Sequence, residues 1–132
     1  MSIYTKSIFR ESSQDDGLRI SVMSRHTLND GKTPDNRITP QTYHQWIQSL
    51  APQPELVGKW YKEKIEWDEF EQAYVNHLEE KDITIIVKAL ARQAIETDIT
   101  LLCAEETQEH CHRRLLAEEC KKYEPALSVV HR

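Results

Sequence analysis

The fold of this chain is decided by residues 99–131, whose sequence is ITLLCAEETQEHCHRRLLAEECKKYEPALSVVH. Its first apolar run predicts a strand over residues 99–104, and its last predicts a strand over residues 126–131. The amphipathic segment between them predicts a helix over about residues 107–122, capped by the hydroxyl of Thr107. Because a strand, a helix and a strand in this order form a parallel pair, we expect a right-handed crossover here.

Two further strands are predicted near the start of the chain, over residues 3–9 and 18–23, where β-branched residues recur. Residues 12–17 between them are typical of a turn. This connection is short for a parallel crossover, so a hairpin and a parallel arrangement both remain open. Residues 25–39 are rich in Asn, Asp, Pro and Thr, which predicts a long loop that is either functional or simply exposed.

Residues 40–97 predict a helical insert between the strands. Pro40 suits the first position of a helix that reaches residue 50, and further helices are predicted over residues 54–63, 66–78 and 82–97. The aromatic residues of the insert are expected to pack in the core, and its lysines, which are offset by acids, to face solvent. The whole chain, residues 1–132, is thus predicted to be one small α/β layered domain with a mainly parallel sheet of about four strands flanked by helices.

The composition is typical of a soluble globular protein with one core, since 39% of the 132 residues are hydrophobic and 30% are charged. A net charge of -5 argues against a general nucleic-acid or anionic-membrane surface, because such a surface needs a basic field. No apolar run is long enough for a membrane span. Three cysteines without a secretory leader predict a reducing, cytoplasmic setting, and a homo-oligomer stays open.

The side chains with the most reactive chemistry lie where the strand at residues 99–104 meets the following helix. Cys103 ends the strand, and Cys111 and His112 fall on the inward side of the helix near its start. A thiol near a helix N-terminus and beside imidazole or arginine has a lowered pKa and becomes nucleophilic, which makes these three residues catalytic candidates. Free cysteines also serve as small core residues, and that alternative stays open for all three, Cys120 included.

A second group of side chains gathers at the carboxyl ends of the strands if the strands are parallel. Arg25 and His26 follow one strand, Glu105 follows another, and Arg113 lies near the start of the last helix. Cations beside a helix N-terminus attract anions, so we predict a corner that binds a small phosphate- or nucleotide-like anion. The alternative is that Glu105 forms ordinary surface salt bridges with the arginines. Only three glycines are present and no phosphate-binding loop, which weakens the nucleotide case.

Neither a metal nor a cofactor is predicted for this corner. Structural zinc sites use closely spaced ligand pairs, and Cys103, Cys111, His112 and His26 are not spaced in that way. A disulfide between Cys103 and Cys111 has equally little support in a reducing compartment.

Several segments of the chain match a known family pattern. They are SRHTLNDG at residues 24–31, LAP at 50–52, LVGKWY at 56–61, WDEF at 67–70 with Tyr74, ITLLCAEE at 99–106 and CHR at 111–113. With these segments the chain resembles the bacterial and archaeal family catalogued as domain of unknown function number 488. The resemblance implies a compact α/β domain and leaves the activity open. Longer members carry a Gly-His pair after the first strand where this chain has Phe9 and Arg10, so His26 or His131 would have to replace that histidine.

Three functions remain open from the sequence. The first is an enzyme or binding protein for a small anionic ligand, in which Cys111 is the nucleophile or a ligand contact and His112 or His26 carries the proton. Arg25 and Arg113 would then hold the anion. The second is a non-enzymatic module that binds a protein partner through its acidic helical face. The third is a thiol redox sensor with one exposed cysteine of low pKa and a resolving partner.

Overall fold

Five parallel strands and four helices form the fold in the computed structural model, which describes residues 1–132. The strands are β1 (Ser2–Ser7), β2 (Leu18–Ser21), β3 (Gln45–Trp46), β4 (Ile99–Cys103) and β5 (Ser128–His131). The helices are α1 (Pro54–Tyr61), α2 (Trp67–Leu78), α3 (Lys81–Glu96) and α4 (His112–Tyr123). The predicted small α/β fold with a parallel sheet is confirmed, although the sheet has five strands instead of four. No helix combines the length and the apolar character needed to cross a membrane.

Strand β4 occupies the centre of the sheet, whose strand order is β3-β2-β4-β1-β5. Leu101 of β4 pairs in parallel with Thr5 of β1 on one side and with Ile20 of β2 on the other. The hairpin alternative for the first two strands is therefore wrong, because β4 lies between them. Every residue of β4 is buried, as expected for a parallel strand that is covered on both faces.

One face of the sheet carries the hydrophobic core. Ile3, Ile20 and Leu101 lie on this face and pack in one cluster with apolar residues of α2, α3 and α4. Burial of a large aliphatic side chain stabilises a fold by about 1.5–3 kcal/mol relative to exposure. Helix α4 contributes Leu116, which is fully buried, to this cluster. The core therefore fixes the middle of α4 and places the reactive residues at the start of that helix close to the sheet.

The opposite face of the sheet carries a buried polar cluster centred on Asp16. The Asp16 carboxylate is 0% exposed and forms ion pairs with Lys6 at 3.0 Å, Arg19 at 2.6 Å and Arg132 at 3.2 Å. Burial raises the pKa of Asp16, but hydrogen bonds from the Ser13 N–H, Lys6 and Arg19 outweigh it and hold the pKa below its usual value. The cluster ties the β1–β2 connection and the end of the chain to the sheet.

The helix predicted from Pro40 to residue 50 is wrong. The chain there forms turns, the short strand β3 and a 3-10 turn at Gln48–Leu50. Trp46 pairs with Ser21 of β2, and its indole N–H donates to the Met23 carbonyl at 2.7 Å. Pairing with the edge of the sheet overrides the local helix preference, since strand formation depends strongly on such neighbours.

The last helix begins later than predicted. Helix α4 begins at His112 with Cys111 as its N-cap, whereas the sequence pattern placed the start near Thr107. Residues 104–110 instead form a turn-rich loop that leads from the end of β4 to α4. Thr107 therefore does not cap the helix, and Cys111 and His112 occupy its first positions.

Candidate functional site

A cavity of about 850 Å³ lies at the carboxyl end of the central strand β4. It is bounded by the loop after β2, by helix α1 and by the loop between β4 and α4. The sequence-predicted residues that line it are Arg25, Cys103, Glu105, Cys111 and His112. Open α/β sheets bind their ligands at this end of the strands. The fold thus gathers most of the predicted site residues around one space.

Cys103 ends β4 at the floor of this cavity, with 6% of its surface exposed. A hydrogen bond from the Cys111 thiol lowers the pKa of Cys103, and burial acts in the opposite direction. The positive charge of Arg113 and the backbone N–H groups of Ala104 and Glu105 add to the lowering, so the net pKa lies below the usual value for a thiol. Of the two thiols that line the cavity, Cys103 is therefore the one that ionises more readily.

The hydrogen bonds of His112 fix which of its ring nitrogens faces Cys103. Its Nε2 lies 2.7 Å from the carbonyl oxygen of Val22, which only accepts hydrogen bonds, so Nε2 must carry the proton. In the neutral ring the lone pair then belongs to Nδ1, which lies 3.7 Å from the Cys103 sulfur. An activated nucleophile typically combines a thiol, an imidazole base and a third group that orients the base.

Cys111 has the opposite character to Cys103. Burial raises its pKa well above the usual thiol value, and the hydrogen bond to Cys103 raises it further. Contact with His112 acts in the opposite direction without outweighing these two effects. Its sulfur accepts a hydrogen bond from the Arg113 guanidinium at 3.3 Å. Two thiols in contact do not ionise together, because the second negative charge is repelled by the first. Of the two thiols, Cys103 is thus the one whose pKa is lowered, whereas the sequence pattern pointed to Cys111 as the nucleophile or ligand contact.

Arg113 is fully buried and has no carboxylate partner. One guanidinium nitrogen donates to the Glu105 carbonyl oxygen at 2.7 Å and to the Cys111 sulfur, and the Nε atom has no hydrogen-bond partner. A buried charge without a counter-charge destabilises the folded protein by roughly several kcal/mol, so a negatively charged group near Arg113 is strongly favoured. This buried charge lowers the pKa of the Cys103 thiol, whose anion could balance it. Arg113 lies behind the cavity wall and so positions the thiols, in contrast to the anion clamp that the sequence suggested.

Arg25 lies on the wall of the cavity as an exposed cation without a hydrogen-bond or ion-pair partner. The predicted alternative, a salt bridge between Glu105 and the arginines, is not formed, because the Glu105 carboxylate accepts a hydrogen bond from the Tyr61 hydroxyl at 2.5 Å. Burial and the Glu105 charge both raise the pKa of Tyr61, so this hydroxyl stays protonated and keeps donating. Gly31 leaves room for Arg25, since a Cβ there would lie 2.7 Å from the guanidinium.

Sequence reasoning missed the aromatic side of the cavity. Trp60, Tyr61 and Lys62 of the α1 region line it together with Phe70 and His110. The His110 ring stacks on Trp67 with 4.9 Å between ring centres, which joins the β4–α4 loop to the helices. These aromatic residues were assigned to the core and Lys62 to a solvated face. The only feature of the sequence that could have revealed them was their helical spacing beside a predicted loop. Residues of a buried core and residues of a cavity wall share that spacing.

His26 does not line the cavity. Its ring stacks on Trp46 with 3.8 Å between ring centres, and its Nε2 forms a hydrogen bond with the Ser21 hydroxyl at 2.7 Å. Burial lowers its pKa, which keeps the ring neutral near neutral pH. His26 thus holds the start of the long loop against β2 and β3 and is not placed to carry a proton for Cys103.

Cys103, Cys111 and His112 also form a group with metal-ligand geometry, because their ligand atoms lie within 4.8 Å of one another. The prediction of no metal rested on spacing along the chain, and the fold brings the three side chains together regardless of that spacing. Tetrahedral zinc would find three of its four ligands here. The buried guanidinium beside the Cys111 sulfur opposes a further double positive charge. We therefore interpret the group as a thiol pair with an imidazole base.

A family model named DUF488-N3a, described as the active DUF488-N3 subclade, matches residues 3–124. The match covers β1 to β4 and all of α4, and thus every residue that lines the cavity. No curated protein and no solved structure matches the chain.

Proposed function

The chain belongs to the DUF488-N3a family, the active DUF488-N3 subclade, and on that premise we propose that it binds a small anionic ligand in the cavity and attacks it with the Cys103 sulfur. The observation that carries this proposal is the contact between Cys103 and His112. Their reacting atoms are 3.7 Å apart, and the Val22 carbonyl fixes the imidazole in the tautomer that accepts a proton. A purely structural role for His112 would not require the ring to direct its proton-accepting nitrogen at a thiol.

The chemistry that these residues support is nucleophilic substitution through a covalent intermediate. The Cys103 thiol proton passes to His112 Nδ1, and the sulfur forms a bond to the electrophilic atom of the ligand. The leaving group departs with the bonding electron pair and takes the proton back from His112. Attack by water then releases the bound group and restores the thiol.

The anionic character of the ligand is argued from the cations of the cavity. Arg25 and Lys62 line it, and neither pairs with a carboxylate. Glu105, the acid in the lining, is engaged by Tyr61. The hydrogen bond from a neutral hydroxyl leaves the Glu105 carboxylate charged, so the two cations of the lining outnumber its one acid in a chain whose net charge is -5. The resulting local positive field attracts small anions. The aromatic wall adds an apolar surface for the remainder of the ligand.

A reducing compartment suits this chemistry. All three cysteines are free thiols, and Cys103 reacts only while it is reduced. We therefore keep the cytoplasmic location as part of the proposal.

A thermal-shift screen against inorganic phosphate, nucleotides and small carboxylates tests the anion site. We expect at least one of these anions to raise the Tm of the wild type and to have no such effect on Arg25→Gln. Arg92→Gln is the matched control, since Arg92 is an exposed arginine of α3 that lies outside the cavity lining. The proposal fails if no anion stabilises the wild type, or if both variants retain the same shift.

A further inference from the structure

Cys103 and Cys111 face each other beside the cavity. Their sulfur atoms lie within 4.8 Å of each other, and both residues line the space. The third cysteine, Cys120, is buried in the core and lies outside the lining. We propose that Cys103 and Cys111 form a reversible disulfide when a peroxide enters the cavity. This modification goes beyond the proposed function, and it needs only the two thiols and an oxidant.

The two thiols have different hydrogen-bond partners, and this difference indicates which thiol reacts with peroxide first. Cys103 receives hydrogen bonds from the Cys111 thiol and from backbone N–H groups, so its sulfur is the one stabilised as an anion. Cys111 keeps its proton and stands beside the sulfur that reacts first. A reactive thiol next to a resolving thiol is the arrangement of redox-sensing cysteines. Hydrogen peroxide is scarcely larger than water, so a cavity of about 850 Å³ admits it readily.

The reaction balances in two steps. The Cys103 thiolate attacks one oxygen of hydrogen peroxide, which gives a sulfenic acid and releases hydroxide that takes up a proton to become water. The Cys111 sulfur then attacks the Cys103 sulfur, and the hydroxyl group leaves with the thiol proton as a second water. The two thiols are oxidised together by two electrons, and one peroxide is reduced to two waters.

The structure indicates which sulfur moves. A disulfide needs its sulfur atoms about 2.05 Å apart, so the two side chains must approach. Cys103 is held within β4 by pairing with β1, its partner there being Ser7. Cys111 follows the loop at residues 104–110 and is the N-cap of α4, where its backbone has an extended conformation. The start of α4 can therefore shift towards β4 without breaking the sheet.

Arg113 makes this disulfide easy to reduce. In the reduced state its guanidinium contacts the Cys111 sulfur at 3.3 Å, and its positive charge lowers the pKa of Cys103. Oxidation removes the ionisable Cys103 thiol, and with it the group whose anion could balance the buried charge of Arg113. Stabilisation of the reduced form raises the reduction potential of a dithiol, which is the property of labile, regulatory disulfides. Such transient disulfides do occur in reducing compartments.

Tryptic mass spectrometry tests the inference directly. No lysine or arginine lies between Arg92 and Arg113, so one tryptic peptide, residues 93–113, contains both cysteines, and another, residues 115–121, contains Cys120. After mild hydrogen peroxide treatment we expect the first peptide to lose two hydrogen atoms and to recover them on reduction with dithiothreitol. The Cys120 peptide should stay unchanged, as an internal control. Cleavage after Glu105 or Glu109 should leave the two halves of the oxidised peptide cross-linked.

Cys111→Ser removes the resolving thiol, and Arg25→Gln separates this inference from the proposed function. Serine is a preferred N-cap residue, so the variant is expected to fold. Under the same peroxide treatment its Cys103 should pass to the sulfinic acid, because no resolving thiol remains. Arg25→Gln, the variant that tests the anion site, should still form the disulfide, because Arg25 contacts neither thiol, so the two proposals can fail independently.

The inference is overturned if the wild type reaches the Cys103 sulfinic acid as fast as Cys111→Ser and forms no cross-linked peptide. A disulfide between two chains instead of within one would also contradict it. Loss of anion binding in a protein that still forms the disulfide would refute only the proposed function.

Discussion

At the scale of single residues, the reactivity of Cys103 depends on the charge of Arg113. Replacing Arg113 by Met removes that charge and keeps a side chain of similar reach. We expect the pKa of Cys103 to rise by roughly one to three units, which is the usual effect of losing an adjacent opposite charge. The rate of Cys103 alkylation by iodoacetamide, followed against pH, should therefore reach half its maximum at a higher pH in Arg113→Met.

The neighbouring residue supplies the control for this substitution. Arg114 pairs at the surface with Glu71 and Glu118, so Arg114→Met should leave the alkylation profile unchanged. Stability gives a second readout. The folded-state pKa of Cys103 is lowered, so its thiolate stabilises the fold above the unfolded thiol pKa of about 8.5, and this contribution is lost as pH falls through the folded pKa. Identical profiles for wild type and Arg113→Met would refute the role of this charge.

At the scale of secondary-structure elements, Gly17 allows the backbone conformation that leads into strand β2. Its φ angle is 63°, and a Cβ atom there would lie 2.1 Å from the carbonyl oxygen of Asp98. Gly17→Ala is therefore expected to lower the free energy of unfolding by more than about 1 kcal/mol, because both the backbone conformation and the contact exclude a side chain. Urea unfolding followed by circular dichroism measures the change.

Gly58 offers the opposite case within helix α1. A Cβ atom at this position would meet nothing within 4 Å. Gly58→Ala is expected to raise the free energy of unfolding by about 0.5–1 kcal/mol, since alanine has the higher helix propensity. Changes of the same sign in the two variants would contradict this account of the two glycines.

The same scale shows which elements the sequence could predict. Helices α2 and α3 lie within one or two residues of their predicted bounds, because their apolar residues recur with a clear helical period. Strand β3 was missed because it has only two residues, and its partners in β2 are distant in sequence. The start of α4 was misplaced because Thr107 resembles a helix cap, whereas the chain needs residues 104–110 to cross from β4 to α4.

At the scale of the whole molecule, the topology explains which site residues could be predicted. Parallel strands place their carboxyl ends at one edge, and that rule correctly gathered Arg25, Cys103 and Glu105 around one cavity. The burial of Arg113 could not be predicted, because an amphipathic helix is expected to bury only one stripe of apolar residues and to expose its charged side chains. Helix α4 packs against the sheet, α2 and α3, so seven of its twelve residues are buried. The aromatic cavity wall depends on how α1 docks, which no local pattern encodes.

The buried charge cluster at Asp16 joins the two ends of the molecule, since Lys6 lies in β1, Arg19 in β2 and Arg132 at the end of the chain. Asp16→Asn leaves these cations without their common partner. Removing one member of a buried ion pair costs about 3–5 kcal/mol, so we expect a loss of that size in the free energy of unfolding near neutral pH. Asp15→Asn is the matched control, because the Asp15 side chain is exposed and forms no ion pair.

The pH dependence of the same variant tests the cause of the loss. The pKa of Asp16 is lowered in the folded protein, so its carboxylate stabilises the fold above the unfolded value of about 3.9, and this contribution disappears as pH falls through the folded pKa. Wild type and Asp16→Asn should therefore differ most near neutral pH and converge in acid, as measured by urea unfolding at a series of pH values. A difference that stays constant from neutral pH into acid would mean that Asp16 acts through packing, since only an ionised carboxylate can hold Lys6, Arg19 and Arg132 together.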